Sequence, residues 1–291
     1  MQAVDSLATQ ILERIKKARK SQPAESEYLM NGYRPSTQSY ECPVCRDQNG
    51  KLVPAIVPDG FGGEQEIEVW RECECVERKR VQRIMKSSRI TPEFQRLTFD
   101  NFRLDKRPSA VQTAFVQANY YVEHFEELRG KRQNSIGFHG RPGSGKTHLL
   151  MAVANALLAK GVSVLYFPWV TGTNELRASV KQDGEYLKKL HAMQSVDVLF
   201  IDDLYKGRKY PTDFQTEFLF DVVNERYLHH LPILLSSEKT PDEIMSMRDE
   251  KGVVVGEGVG SRLYEMTKNY LSIMELQPGE EDLILNYRLM P

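Results

Sequence analysis

The chain has 291 residues, 41% hydrophobic and 27% charged, with a formal net charge of −1; this suits a two-domain globular protein and excludes one that binds polyanions over its whole surface. It contains no apolar run of about 18 residues, which excludes a transmembrane helix, and its opening, MQAVDSLATQILERIKKARK, lacks the apolar centre and cleavage site of a signal peptide. A cytoplasmic protein with no membrane partner is therefore expected.

Residues 1–20 read as an amphipathic helix, because Val4, Leu7, Ile11 and Ile15 recur at spacings of three and four, opposite a face rich in Lys and Arg. Residues 21–40 carry Pro, Ser, Asn and Gly and read as a linker. All four cysteines fall within residues 42–75. Cys42 and Cys45 form a zinc-knuckle pair; Cys73 and Cys75 are more tightly spaced, and 27 residues separate the pairs. Four thiolates would complete a tetrahedral Zn2+ site with no open position, a structural role. The alternatives are disulfides, disfavoured in a reducing cytosol, or free thiols. PDGFGG (58–63) suits a hairpin turn between the pairs. Residues 76–88 read as a basic helix, and residues 76–108 hold ten Lys/Arg against four Asp/Glu.

From about residue 91 short apolar runs alternate with helical segments, the signature of an α/β fold with a parallel sheet. Strands are predicted at 135–139, 162–167, 196–202, 232–237 and 270–276, with helices near 146–160, 174–190, 212–229 and 261–268. Between the first strand and helix lies GRPGSGKTH, with Gly140, Pro142, Gly143, Ser144, Gly145, Lys146, Thr147 and His148. It matches the phosphate-loop pattern: glycines let backbone N–H groups wrap phosphates, Lys146 reaches the β and γ phosphates, and Thr147 offers a hydroxyl to Mg2+. The third strand, VDVLFIDD, ends in two acids about 55 residues further on. Asp202 is placed to hold Mg2+ and Asp203 to orient and deprotonate an attacking water. The fourth strand, LLSSE, ends in Ser236, Ser237 and Glu238, which either face a γ-phosphate or simply lead into a helix capped at Thr240.

These motifs in this order, with TFDNF (98–102) and the cysteines ahead of them, resemble the AAA+ ATPases. More narrowly, most of the chain is similar to the DnaC/DnaI helicase-loader family and its phage-encoded relatives; the transposition helper IstB is a close cousin. The resemblance implies a P-loop AAA+ ATPase core with a five-stranded parallel sheet over 89–291, preceded by a small zinc-binding module at 41–88. Lys146 and Thr147 take the Walker A roles, and Asp202 and Asp203 the Walker B roles, with ATP and Mg2+ as ligands. The family often has Glu where Asp203 stands, so slow hydrolysis is expected. Glu238 occupies the sensor-1 position, often Asn, with Ser237 as the alternative γ-phosphate contact. Arg288 corresponds to a sensor-2 arginine. GVGSRLYEM (258–266) matches the place of the arginine finger, so Arg262 would complete the site of a neighbouring subunit and the protein would self-associate. If Ser261 caps a helix, Arg262 stands at its first position, where a cation opposes the helix dipole; the alternative is an exposed surface arginine.

By the same resemblance, residues 1–88 contact the replicative DNA helicase, a DnaB-type hexamer, and the ATPase domain binds single-stranded DNA. Arg177, Lys181, Lys188 and Lys189, in the helical insertion after the second strand, are candidate phosphate contacts. LYKGRKY (204–210) adds Lys206, Arg208 and Lys209 with two tyrosines, a mixture of charge and stacking surface. A basic run also arises as a plain solvated face. The expected function is ATP-dependent loading of the replicative helicase onto single-stranded DNA during replication initiation. The alternatives are an IstB-like transposition helper, which usually lacks a cysteine module, and a non-hydrolysing adaptor switched by ATP.

Overall fold

The computed structural model describes residues 40–58, 63–207, 209–280 and 282–289. The amphipathic helix expected at 1–20, the linker before Tyr40, most of the 58–63 turn and Arg208 lie outside the described residues. The chain divides into two compact units at Arg83/Ile84, inside the helix Cys75–Ser87 that the basic run predicts.

The first unit is a cysteine knuckle and an antiparallel hairpin. Strands β1 (Gly50–Pro58) and β2 (Glu64–Glu72) pair from Gly50↔Glu72 to Pro58↔Glu64. Val53, Ile56, Val57, Ile67 and Val69 give the segments their β preference. Around the knuckle the backbone turns sharply through Arg46, Asp47 and Asn49, all at positive φ. The Asp47 carboxylate holds that turn by accepting from the N–H groups of Glu41 and Cys42, both at 3.0 Å.

The second unit is the parallel sheet expected from the sequence. Its strands are β3 (Ile136–Gly140), β4 (Val164–Pro168), β5 (Val198–Leu204), β6 (Ile233–Ser237) and β7 (Leu271–Met274), in the order β4-β5-β6-β3-β7. The strands are apolar on both sides because helices cover both faces. Phe138, Phe200 and Leu234 point to one side, against helices Ser109–Glu123 and Lys146–Ala159. Leu199, Ile201, Ile233 and Leu235 point to the other, against helices Trp169–Ser179, Asp213–Leu228 and Glu257–Thr267. This alternation later decides which strand-end side chain meets which.

Two expected helices are redrawn. The single helix predicted at 174–190 is two, Trp169–Ser179 and Glu185–Ser195, separated by a turn ending at Gly184 with φ +70°. The last helix starts at Glu257, not Ser261, and its N-cap position is Gly256 with no side-chain cap. Arg262 is therefore in the helix interior, past the first turn where the dipole would oppose its charge. The run GEGVG (256–260) enters this helix although glycine weakens helices. Here it permits close packing: a Cβ on Gly260 would lie 2.6 Å from the Met245 side chain.

Candidate active site

The site lies at the carboxyl ends of β3, β5 and β6, where ligands collect in open parallel sheets. After β3 the chain turns through the phosphate loop into helix Lys146–Ala159, whose N-terminus faces the loop. Two glycines are required there. Gly145 caps the helix at φ +101°, and a Cβ on it would come within 2.9 Å of the Phe102 ring. Gly143 has φ +81°, and a Cβ on it would meet Asn286 Oδ1 at 2.0 Å.

Lys146 is buried, and its Nζ donates to the carbonyls of Gly140 at 2.7 Å and Arg141 at 2.9 Å. Burial pulls its pKa down, opposed by the charges of Asp203 and Glu238. Thr147 Oγ1 donates to Asp202 Oδ1 at 2.9 Å. Ser236 Oγ donates to the same oxygen at 2.6 Å, and the Tyr166 hydroxyl donates to Oδ2 at 3.0 Å. Burial raises the Asp202 pKa, and the Ser236, Thr147 and Tyr166 bonds oppose the rise in part. The Thr147 hydroxyl and Asp202 carboxylate form an adjacent pair of oxygen donors, the ligand chemistry magnesium takes.

Asp203 breaks the strand. Its φ is +59°, and the β5–β6 register shifts between Ile201 and Leu204. The bulge turns its carboxylate into the cleft, where Lys206 Nζ donates to Asp203 Oδ2 at 2.7 Å and lies 3.3 Å from Glu238 Oε1. Pro142, Gly143, Gly145, Lys146, Thr147 and His148 line one side of this cleft of about 150 Å³; Asp203, Lys206 and Glu238 stand opposite, with Tyr287 and Arg288 at the rim. His148 lies 2.9 Å from Asn101 Oδ1 and 3.1 Å from the Thr98 carbonyl, which ties TFDNF to the loop. Ser144 is buried behind it.

Two expectations are corrected. Ser237 does not face the cleft: its hydroxyl donates to the Leu204 carbonyl at 2.9 Å and accepts from Lys239 N–H at 3.1 Å. Strand alternation puts it on the Leu235 side, whereas Ser236 shares the Leu234 side with Phe200 and Asp202. Lys206 likewise leaves the nucleic-acid set, because both carboxylates hold it in the cleft. Of its expected companions, Lys209 sits 5.1 Å from the Tyr210 ring centroid. Arg177, Lys181 and Lys188 are exposed and Lys189 is half-buried; Lys188 pairs with Glu185 at 2.9 Å.

Arg262 is not among the residues lining its own chain's cleft. Its Nη1 donates to the Gly258 carbonyl at 2.5 Å, and its guanidinium lies over Phe220 at 5.2 Å and Tyr227 at 5.5 Å. Such cation–π contacts hold the head in place without neutralising it.

Sequence reading missed Tyr166, Arg107 and the segment after β7, and named Ser236 without its role at Asp202. Ser236 and Tyr166 position Asp202, and the only sequence signal is a polar tip at the end of an apolar strand. Arg107 is fully buried, donates to the Ser144 carbonyl, and lies over Phe102 at 5.9 Å and Tyr287 at 5.6 Å. In sequence it was one more charge in a basic run. The segment after β7 closes the site: Tyr287 N–H donates to the Gly143 carbonyl at 2.6 Å, and Ile284 N–H to Lys106 at 2.9 Å.

In the first unit the four cysteine sulfurs lie within 4.8 Å of one another. Cys42 Sγ is 3.7 Å from Cys73 Sγ, and Cys45 Sγ is 3.3 Å from Cys75 Sγ. Zinc–sulfur bonds of about 2.3 Å in a tetrahedron put the sulfurs about 3.8 Å apart, so the set fits one zinc ion. Backbone N–H groups of Cys45 and Val44 hold the Cys42 thiol down to about 6, whereas burial pushes Cys75 up to about 12. Among the described residues no helix is long and apolar enough to cross a membrane.

Comparison with known proteins agrees with this architecture. Residues 94–259, more than half of the chain, match the family model for the bacterial DnaA ATPase domain. The chain is 39% identical over 289 residues to the phage-like element PBSX protein XkdC of Bacillus subtilis, covering 96% of each. It is 27% identical over 226 residues to the replicative helicase loader DnaC of Escherichia coli, covering 73% of this chain and 85% of that one. A crystal structure of the DnaC helicase loader superposes with a TM-score of 0.51 at 23% identity, covering 64% of this chain and all of that one. One of DnaI gives 0.50 at 21%, covering 66% and 95%.

Proposed function

The chain belongs to the DnaC-like proteins of the AAA+ ATPase family, and from that membership we propose that it loads a DnaB-type replicative helicase onto single-stranded DNA in an ATP-dependent step of replication initiation. The observation that carries this reading is the 2.9 Å contact between Thr147 of the phosphate loop and Asp202 of the neighbouring strand end. It sets a phosphate cradle beside an oxygen pair suited to magnesium, the arrangement that phosphoryl transfer from a nucleotide uses. In this reading Gly140–His148 hold the phosphates, Thr147 and Asp202 hold Mg2+, and Asp203 orients the attacking water. Glu238 faces the terminal phosphate and Arg288 reaches in from the rim. Arg262 is supplied to a neighbouring copy, so the working unit is an oligomer. Cys42, Cys45, Cys73 and Cys75 hold a structural Zn2+, and residues 1–88 grip the helicase. Arg177, Lys181, Lys188, Lys189 and Lys209 are the DNA contacts.

The test is a loading reaction with the purified full-length protein, the cognate helicase hexamer, circular single-stranded DNA and ATP, reading helicase retained on the circle. Lys146→Ala should abolish both nucleotide binding and loading. Arg262→Ala should bind ATP normally and still fail to load. Unimpaired loading by Lys146→Ala would sink the ATP-dependent reading. One observation favours a second reading, the non-hydrolysing adaptor: Asp203 Oδ2 is already taken up by Lys206 at 2.7 Å, so it is not free to accept from an attacking water. Single-turnover hydrolysis separates the two, because Asp203→Asn matches the parent only if the adaptor reading is right.

A further inference from the structure

Lys206 stands where a solvated DNA contact was expected, and the chain is shaped to put it elsewhere. Asp203 at φ +59° and Tyr205 at φ +61° are both left-handed non-glycine residues. Such a residue is strained and persists only where its surroundings impose it. Here Lys206 N–H closes the turn onto the Asp203 carbonyl at 3.0 Å. Tyr205 pins it from below, buried edge-on to Trp169 with ring centroids 5.2 Å apart. The turn carries the Lys206 ammonium back over the strand end, onto Asp203 at 2.7 Å and Glu238 at 3.3 Å.

The charges around the cleft explain the need. Asp203 and Glu238 face the phosphate loop across it, and two carboxylates beside a terminal phosphate repel it in a partly desolvated space. An ammonium has three donors. Two are committed to the carboxylates, and the third is available for a phosphate oxygen on the same side. Lys146 serves the loop from the opposite wall, bonded to Gly140 and Arg141.

We propose that Lys206 reads the terminal phosphate of the bound nucleotide: it neutralises Asp203 and Glu238 and contacts the γ-phosphate, so that the cleft distinguishes a nucleoside triphosphate from a diphosphate. The proposal rests on the nucleotide reading given above. It makes the Glu238 carboxylate workable at a position that otherwise favours an uncharged side chain, with the cation provided in cis, three residues after Asp203.

The test is equilibrium binding of a non-hydrolysable ATP analogue and of ADP, each with Mg2+, to the full chain and to Lys206→Met, Lys206→Arg and Lys206→Met/Glu238→Gln. Lys206→Met should weaken the triphosphate about tenfold or more and the diphosphate less than about twofold, as expected for losing one charge-assisted contact. Lys206→Arg should keep the preference, and Glu238→Gln should restore part of it in the Lys206→Met background. Equal weakening of both nucleotides would reduce Lys206 to a prop for the turn, and no change in either would make it a bystander; each overturns the proposal. If the parent binds neither nucleotide, the ATP reading itself fails. If the parent binds both and Lys206→Met binds both as the parent does, this inference alone fails.

Discussion

Asp202 shows how one residue can be costly in the fold and necessary to the site. It is 5% exposed, and burial holds its carboxyl above the ordinary carboxylate range. A carboxyl whose folded pKa is raised contributes most to stability below its unfolded value, about 3.9, and stability falls as pH rises through the folded value. Asp202→Asn should therefore melt higher than the parent at pH 7.5 in EDTA, by roughly 2–4 °C, the shift about 1 kcal/mol makes in a domain of this size. The gain should fade towards pH 4, as the parent carboxyl takes up its proton. Thermal melts at both pH values check this; a variant that melts lower than the parent at pH 7.5 would show that the Asp202 hydrogen bonds outweigh its desolvation. The importance of Asp202 was legible from the acids ending an apolar strand. Its partner was not: two adjacent serines end β6, and the Phe200/Leu234 alternation that selects Ser236 over Ser237 appears only once the sheet is paired.

At the scale of elements, helix Asp213–Leu228 was legible as a helix near 212–229, but what fastens it was not. Arg226 is fully buried and donates to five carbonyls: Met193 at 2.9 Å, Gln194 at 3.4 Å, Val196 at 2.9 Å, Asp197 at 3.1 Å and Pro232 at 2.7 Å. Burial pulls its pKa down to about 9, against the opposing charge of Asp197. One guanidinium thus satisfies the end of helix Glu185–Ser195 and the entries to β5 and β6, where backbone acceptors otherwise go unpaired. Arg226→Met keeps the volume and strips every donor, so it should cost roughly 3–5 kcal/mol in urea unfolding. A loss below about 1 kcal/mol would mean that water replaces the arginine. Sequence pattern hid this residue because a lone Arg near a helix end ordinarily reads as solvated. The break at Gly184 and the start at Glu257 were hidden for a related reason: glycine ended one helix and opened another, and only the contact of Gly260 with Met245 tells the cases apart.

At the scale of the whole molecule, the division at Arg83/Ile84 separates two kinds of stability. The first unit has a hairpin, the buried Cys42, Cys45 and Cys75, and little other core among its described residues, so a metal-bound set of thiolates would account for most of its folding energy. Removing zinc with a strong chelator should therefore erase hydrogen-exchange protection in β1 and β2 and leave the melting of the second unit in place. Magnesium–ATP at a hundred times its Kd should do the reverse, adding about 2.7 kcal/mol to the second unit only. Protein that contains no zinc and keeps its hairpin protection under chelation would overturn the metal assignment. The cleft carries a different kind of consequence. Its rim is Tyr287 and Arg288, with Tyr287 N–H on the Gly143 carbonyl and Asn286 packed against Gly143. Synthesis delivers the parts of this site in order: the phosphate loop first, the two aspartates next, the rim last. A chain lacking only residues 284–289 still has every strand and the buried residues of both cores, but its cleft is left unwalled. Readiness for nucleotide thus hangs on one short segment that adds no strand to the sheet, and a chain cut just before Ile284 would carry a folded sheet with an unfinished pocket.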